Sequence, residues 1–331
     1  MRKPDFENIL SILNREKPRR PTLFEFFLND RLHKVLAGNN YNDNNILRMK
    51  AFLNAGYDYI TVMGAFAFQS GEKHREKSIS LNESPLIIDR KSFELYKWPD
   101  PDSADYSSFE ITSKNLPDGM RIIAYGPGGV LENVIKLTGY DNLCMMLVDD
   151  PELVRQIFDN VGSRLVRYYE IIGNSFGKVG AMISNDDWGF KTQTMLSPDD
   201  MRRYVIPWHK RIVETIHKSG RPAILHSCGN LSEVMDDIIY DIHYDAKHSY
   251  EDSICPVEKA YQKWGKKIAI LGGIDLDFLC RSEIDTIKKR CLNMLALSSD
   301  EGAYALGSGN SIPEYVPDEK YFAMISVVNE I

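Results

Sequence analysis

The chain has 331 residues, 43% of them hydrophobic, and a formal net charge of −7. That is enough for two small domains or one large α/β barrel of ~250 residues or more, and its charges are interspersed without a basic stripe, so nucleic acid and anionic membrane are poor partners. No run reaches the ~18 apolar residues of a membrane span, and Met1-Arg2-Lys3-Pro4-Asp5 lacks the apolar core of a signal peptide.

Phe6, Ile9, Leu10 and Leu13 recur at helical spacing behind Asp5 and predict a short opening helix, which Pro18 and Pro21 terminate. Thr22–Phe27 reads as a first buried strand. Glu25 within it reads as a cap or ion-pair partner, with a ligand at a barrel mouth as the alternative. Asn45–Asn54 reads as a helix ending near Gly56, and Tyr57–Met63 as a second strand, followed by a loop with Gly64, Phe66, Phe68 and Gly71. Lys97–Gly119, with Trp98-Pro99-Asp100-Pro101 and Pro117-Asp118-Gly119, reads as an excursion between the second and third strands that holds a helix near Tyr106–Asn115.

Arg121–Tyr125 is the third strand, and Gly126-Pro127-Gly128-Gly129 opens the next helix. Its backbone amides suit an anion, although the run matches no phosphate-loop consensus. Asp149-Asp150-Pro151-Glu152 and Ser197-Pro198-Asp199-Asp200 are helix starts, with an oxygen cap followed by proline in the first turn. The first of these helices runs to about Gly173, and the second is interrupted at Pro207 and ends at Gly220. The remaining strands are Lys178–Ser184, Pro222–Leu225, Tyr244–Ser249, Lys267–Leu271 and Ala303–Leu306. Helices fit at Pro256–Trp264 and Ser282–Ser298.

Eight strands alternating with helices, with polar residues and glycines crowded after each strand, predict a single (β/α)8 TIM-type barrel over 1–331. Its active site then lies at the strands' C-terminal ends. Tyr125, Asp186, Asp187, His226, Cys228, His248, Asp275, Ser308 and Asn310 stand at those ends. His226 and Cys228 are two apart where a strand ends, so both point to one side and can share a zinc ion. Two ligands do not complete a site. Asp187, His248, Glu251 and Asn310 are the candidates for a third. Asp186 and Asp187 are adjacent, so at most one aims into the mouth. Asp187, His226 and His248 are the expected catalytic groups, and Tyr125, Asp186, Asp275, Ser308 and Asn310 the expected substrate contacts. His209, His217 and His243 read as surface residues. None of the five cysteines forms a Cys-x-x-Cys pair, which predicts a reduced, cytoplasmic protein; Cys144, Cys255, Cys280 and Cys291 read as structural.

Asp186 to Pro207, with Asp-Asp-Trp-Gly, Leu-Ser-Pro-Asp-Asp and Ile-Pro-Trp-His, resembles the uroporphyrinogen decarboxylase superfamily. So do His226-Ser227-Cys228-Gly229-Asn230, Leu271-Gly272-Gly273-Ile274-Asp275 and Gly307 to Pro313. The superfamily contains porphyrinogen decarboxylases and zinc-dependent methyltransferases that work with methylated corrinoid proteins. The decarboxylases carry an arginine-rich Met-Arg-Gln-Ala-Gly-Arg signature where this chain has Glu25-Phe26-Phe27-Leu28-Asn29-Asp30, a stretch expected to repel a polycarboxylate. Their aspartate after the second strand is replaced by Val62–Phe66, and their Leu-Gly-His-Gly is Leu306-Gly307-Ser308-Gly309.

The resemblance therefore implies the methyltransferase branch, with zinc on His226 and Cys228, methylcobalamin on a partner protein and a small-molecule substrate. The branch's third ligand is a cysteine, and that position here is Asn310. The alternatives are a metal-free carboxy-lyase acting on a carboxylate or tetrapyrrole-like ligand, and a non-catalytic ligand- or corrinoid-binding barrel.

Overall fold

The computed structural model describes residues 2–38, 41–69, 71, 81, 82 and 84–329. Among the described residues seven strands, β1 (Tyr59–Val62), β2 (Arg121–Tyr125), β3 (Val179–Asn185), β4 (Ala223–His226), β5 (Ala246–His248), β6 (Ala269–Leu271) and β7 (Tyr304–Ala305), form one sheet. They lie in sequence order and every neighbouring pair is parallel. Parallel neighbours need crossover connections, and helices supply them, as in the long helix Pro151–Ser175 behind its Asp150 cap. The result is a curled α/β sheet of the TIM-barrel kind. No helix among the described residues is long and apolar enough to cross a membrane. All five cysteines are free.

The first predicted strand is where the structure departs from eight regular strands. Thr22–Phe27 makes no continuous ladder; Leu23 forms a single parallel bridge to Leu306, and Leu28 one to Ile312. On the β1 side, side chains stand in for backbone. The Tyr59 hydroxyl donates to the Glu25 carbonyl and accepts from its amide, both at 2.7 Å, and the Thr61 hydroxyl donates to the Phe26 carbonyl at 3.0 Å. The segment thus lies between β7 and β1, bonded to the first through backbone and to the second through these hydroxyls.

Among the described residues Glu25 caps no helix and pairs with no cation, and its burial takes it away from any exposed mouth position. Its fully buried carboxyl accepts the Ser308 amide at 2.6 Å and meets the Ser308 hydroxyl at 2.8 Å. Burial raises its pKa to about 8, against the lowering effect of the Ser308 bonds. The folded protein therefore holds a proton that the unfolded chain releases near pH ~4.3. The stability this confers is complete below that pH and is lost as pH rises through about 8. Urea denaturation across this range should show Glu25→Gln flattening the decline by roughly 1 kcal/mol per pH unit. Parallel pH profiles for the two proteins would refute the assignment.

The opening helix Glu7–Leu13 starts near the beginnings of β2 and β3. Phe6, just before it, donates its amide to Gly119 at 2.9 Å, and its ring occupies the space that a Cβ on Gly180 would need. The stretch 97–119 carries the helix Ser107–Asn115. The helix capped by Ser197 widens into a π-turn at Met201–Val205 and continues as Ile206–Lys218. Pro207 has no amide hydrogen to offer the regular pattern, and the wide turn absorbs the mismatch.

Candidate active site

The register of the sheet sets His226 beside Asn185 on one side and His248 on the other. Register partners project to the same face, and the Nδ1 atoms of His226 and His248 meet at 2.7 Å. This contact turns His226 Nε2 toward Cys228, 4.0 Å from Sγ. Gly229 follows with φ +86° and packs so tightly on Gly189 that an added Cβ would lie 2.1 Å from the Gly189 carbonyl oxygen. Only glycine satisfies both conditions, so the turn that sets Cys228 depends on it.

Asp187 completes a convergent group. Its Oδ1 accepts the Cys228 amide at 2.9 Å, and one ligand atom each from Asp187, His226 and Cys228 lie within 4.8 Å of one another. Of the four candidates for a third member, Asp187 is the one that joins. Asn310 instead donates its Nδ2 hydrogen to Cys228 Sγ at 3.2 Å, and the Ser249 hydroxyl donates to the same sulfur at 3.4 Å. Burial pulls the His226 pKa down to about 4 and pushes the Cys228 thiol up to about 12. At neutral pH the imidazole is therefore uncharged, and the thiol does not ionise unaided.

The other predicted residues divide clearly. Tyr125 sits at the end of β2 with the Phe26 and Phe27 rings against it edge-on, and Phe26 also packs on the His226 ring with centroids 4.6 Å apart. These rings make an aromatic wall beside the convergent group. Asp275 caps the helix Leu276–Arg281 and accepts the Asp252 amide at 2.9 Å, while lining a cavity of about 720 Å³ that Asn310 also lines. His248 is fully buried, packed edge-on to Phe24, so it orients His226 and is not a base open to substrate. Ser308 is equally buried and spends its hydroxyl on Glu25. Glu25 itself is fully buried on Ser308 and so presents no exposed charge to a ligand; the rings of Phe26 and Phe27 stand beside Tyr125.

Asp186, expected among the substrate contacts, points the other way from Asp187 and is completely buried. Four donors hold its carboxylate: the Leu131 amide at 2.9 Å, the Glu132 amide at 2.8 Å, Trp188 Nε1 at 2.9 Å and His209 Nε2 at 2.8 Å. The anion that the Gly126–Gly129 turn suited is thus the protein's own carboxylate, seated on the N-terminus of the helix Val130–Thr138. A Cβ on Gly129 would fall 1.9 Å from Asp186 Cβ, so no larger residue fits.

His209 was expected at the surface. It is fully buried, and its Nδ1 lies 2.7 Å from the Tyr244 hydroxyl. Burial raises the Tyr244 pKa, so the phenol keeps its hydrogen and donates to Nδ1, leaving the Nε2 hydrogen for Asp186. His217, by contrast, pairs with Asp245 at 2.8 Å and is partly exposed, and His243 is exposed.

The His–Cys–Asp cluster stands at the C-terminal ends of a parallel sheet, the position where barrel folds carry their sites. The chain belongs to the uroporphyrinogen decarboxylase (URO-D) family, whose model matches residues 72–331. It is 26% identical over 196 residues to the uroporphyrinogen decarboxylase of Trichodesmium erythraeum, covering 58% of this chain and 51% of that protein. With the Myxococcus xanthus uroporphyrinogen decarboxylase it shares 24% identity over 251 residues, 72% of this chain and 68% of the relative. It thus spans about half the length of the first of these relatives. A solved structure described as a methyltransferase from Methanosarcina mazei superimposes with a TM-score of 0.71 at 14% identity, over 98% of this chain and 97% of that one. At that identity the likeness shows the fold.

Proposed function

We propose that this protein is a methyltransferase that moves a methyl group between a small molecule and the cobalamin of a corrinoid partner protein, with zinc held by Asp187, His226 and Cys228. The observation that carries the reading is the convergence of these three unlike donors at the strand ends. Oxygen, nitrogen and sulfur are all zinc ligands, and three protein ligands with one exchangeable position is the pattern of catalytic zinc. Tetrahedral bonds of ~2.0 Å to nitrogen and ~2.3 Å to sulfur put those two atoms about 3.5 Å apart. The 4.0 Å between His226 Nε2 and Cys228 Sγ is within a small side-chain adjustment of that. Bound zinc supplies Lewis acidity, which lowers the pKa of a thiol or hydroxyl acceptor or polarises the oxygen of a methyl donor.

The chain's own residues do the rest. His226, neutral because it is buried, shares one hydrogen between its Nδ1 and that of His248, and in the tautomer that donates from His226 the Nε2 lone pair is presented to the site. The Ser249 hydroxyl and the Asn310 amide stabilise negative charge on Cys228 Sγ, so Asn310, at the position of the branch's third ligand, supports another ligand instead. Phe26, Phe27 and Tyr125 exclude water on one side, and the cavity beyond Asn310 leaves room for substrate. The full-length likeness to a protein described as a methyltransferase supports the same direction.

Protein produced without added metal is expected to carry about one zinc per chain. Chelation should remove the metal together with methyl transfer from methylcobalamin to a thiol, and zinc should restore both. Zinc below about 0.1 equivalent with chelator-insensitive transfer would remove the metal from the reading. The names of the two curated relatives support a second reading, a metal-free lyase on a tetrapyrrole-like ligand. That reading requires porphyrinogen to bind, and no binding at millimolar concentration would exclude it.

A further inference from the structure

A second cavity, of about 290 Å³, lies on the outer side of the turn that follows β5. Leu231, Met235, Ile254 and Trp264 form its apolar wall, and Lys247 and Glu251 also line it. Side chains alternate along β5, so with His248 turned toward His226 inside the sheet, Lys247 projects into the helical layer. Its ammonium is buried. It donates to the carbonyls of Ser227 at 3.3 Å, His248 at 3.4 Å and Ser249 at 2.6 Å, and lies 4.3 Å from the centre of the Tyr250 ring. Among the described residues none of its hydrogen bonds reaches a carboxylate.

A buried charge is costly unless it is paired, and carbonyl dipoles with one ring face offset only part of that cost. The rest of the lining repeats the imbalance. Lys259 and Lys263, one turn apart on the helix Val257–Trp264, also line the cavity, Lys263 with its ammonium 4.5 Å from the centre of the Trp264 ring, so the lining carries three lysines and the single carboxylate of Glu251. We propose that this cavity binds a small organic monocarboxylate with an apolar body. The carboxylate balances Lys247 and the two rim lysines, while the body lies against Trp264 and the aliphatic wall. A cation of the same size is repelled, and a neutral apolar molecule leaves the buried ammonium unpaired.

The position gives such a ligand a route to the catalytic group. Lys247 ties down the carbonyls of Ser227 and Ser249, the first beside Cys228 and the second in the residue whose hydroxyl donates to Cys228 Sγ. Ser249 holds a left-handed φ of +83°, and the ammonium on its carbonyl helps to fix that conformation. The proposal does not depend on zinc or on methyl transfer.

Trp264 lines the cavity, so its fluorescence reports occupancy, and calorimetry reads the same binding without the fluorophore. Benzoate should give a saturable change, and benzylamine, matched in size but cationic, should give none. Lys247→Met should weaken benzoate binding by about tenfold or more, as expected for loss of a charged hydrogen-bond donor. Should that variant fail to fold, Lys259→Glu, an exposed rim position, should still weaken binding severalfold, and Glu251→Gln should tighten it. A merely structural Lys247 would leave both of these unchanged. Equal titration by benzoate and benzylamine, no saturation below about 10 mM, or benzoate binding indifferent to Lys259→Glu and Glu251→Gln would each overturn the proposal.

Discussion

Cys228→Ser should abolish zinc retention and lower methyl transfer by more than about 100-fold, the upper range for losing even an outer partner of a metal ligand. Serine keeps the shape of the turn but offers a hydroxyl, a far poorer zinc ligand than a thiolate. Asn310→Ala is the graded counterpart. It removes the donor that sits 3.2 Å from Cys228 Sγ and should cost between about tenfold and 100-fold in metal affinity, leaving the fold intact. Metal analysis after gel filtration, with circular dichroism melts as the folding control, reads both. Zinc stoichiometry unaltered in Cys228→Ser would mean that the ion is bound elsewhere.

The largest effect on stability should come from Asp186. It is fully buried and accepts from two backbone amides, an indole and an imidazole. Asp186→Ala strips partners from all four at once, leaving buried donors unsatisfied and His209 without its acceptor. Breaking a buried pair in this way costs about 3–5 kcal/mol, a large share of the 5–15 kcal/mol by which a domain is ordinarily stable. Chemical denaturation should show that loss. In a double-mutant cycle with His209→Ala, the second substitution should cost much less once the first is made. A loss below about 1 kcal/mol would show that the carboxylate is not the keystone of these contacts. Activity should fall as well, because Asp187 takes its direction from the neighbour that is anchored.

What the sequence made legible was whatever depends on near neighbours. Strand β2 and the helix after Asp150-Pro151 follow from local periodicity and cap chemistry, and they appear where those signals place them. The adjacency of Asp186 and Asp187 implied opposite directions, and the structure assigns each one. His209 was illegible because two distant events bury it: the π-turn at Met201–Val205 that resets the helix, and the arrival of Asp186 and Tyr244 from other strands' ends. The irregular first strand was hidden for a similar reason. Its partners include the hydroxyls of Tyr59 and Thr61 rather than a backbone ladder, and hydrophobic patterning carries no record of them. The third member of the convergent group was narrowed to four residues by position alone. Choosing Asp187 required knowing that Asn310 spends its amide on the sulfur.

The segment Thr22–Leu28 has a consequence for how the molecule is made. Its backbone partners near Leu306 and Ile312 and the Ser308 contacts of Glu25 lie 283 or 284 positions away in the chain. Loop closure over such a span is slow to be rewarded, because the chain's ordering entropy is lost before any contact is gained. On a ribosome, the earliest sheet segment to emerge is therefore the last to find its place. It waits, with Phe24, Phe26 and Leu28 uncovered, until β7 and the turn beyond it have been synthesised. Two segments far apart in one chain must meet before these contacts form, and the interval before they meet is when this protein is most exposed to aggregation.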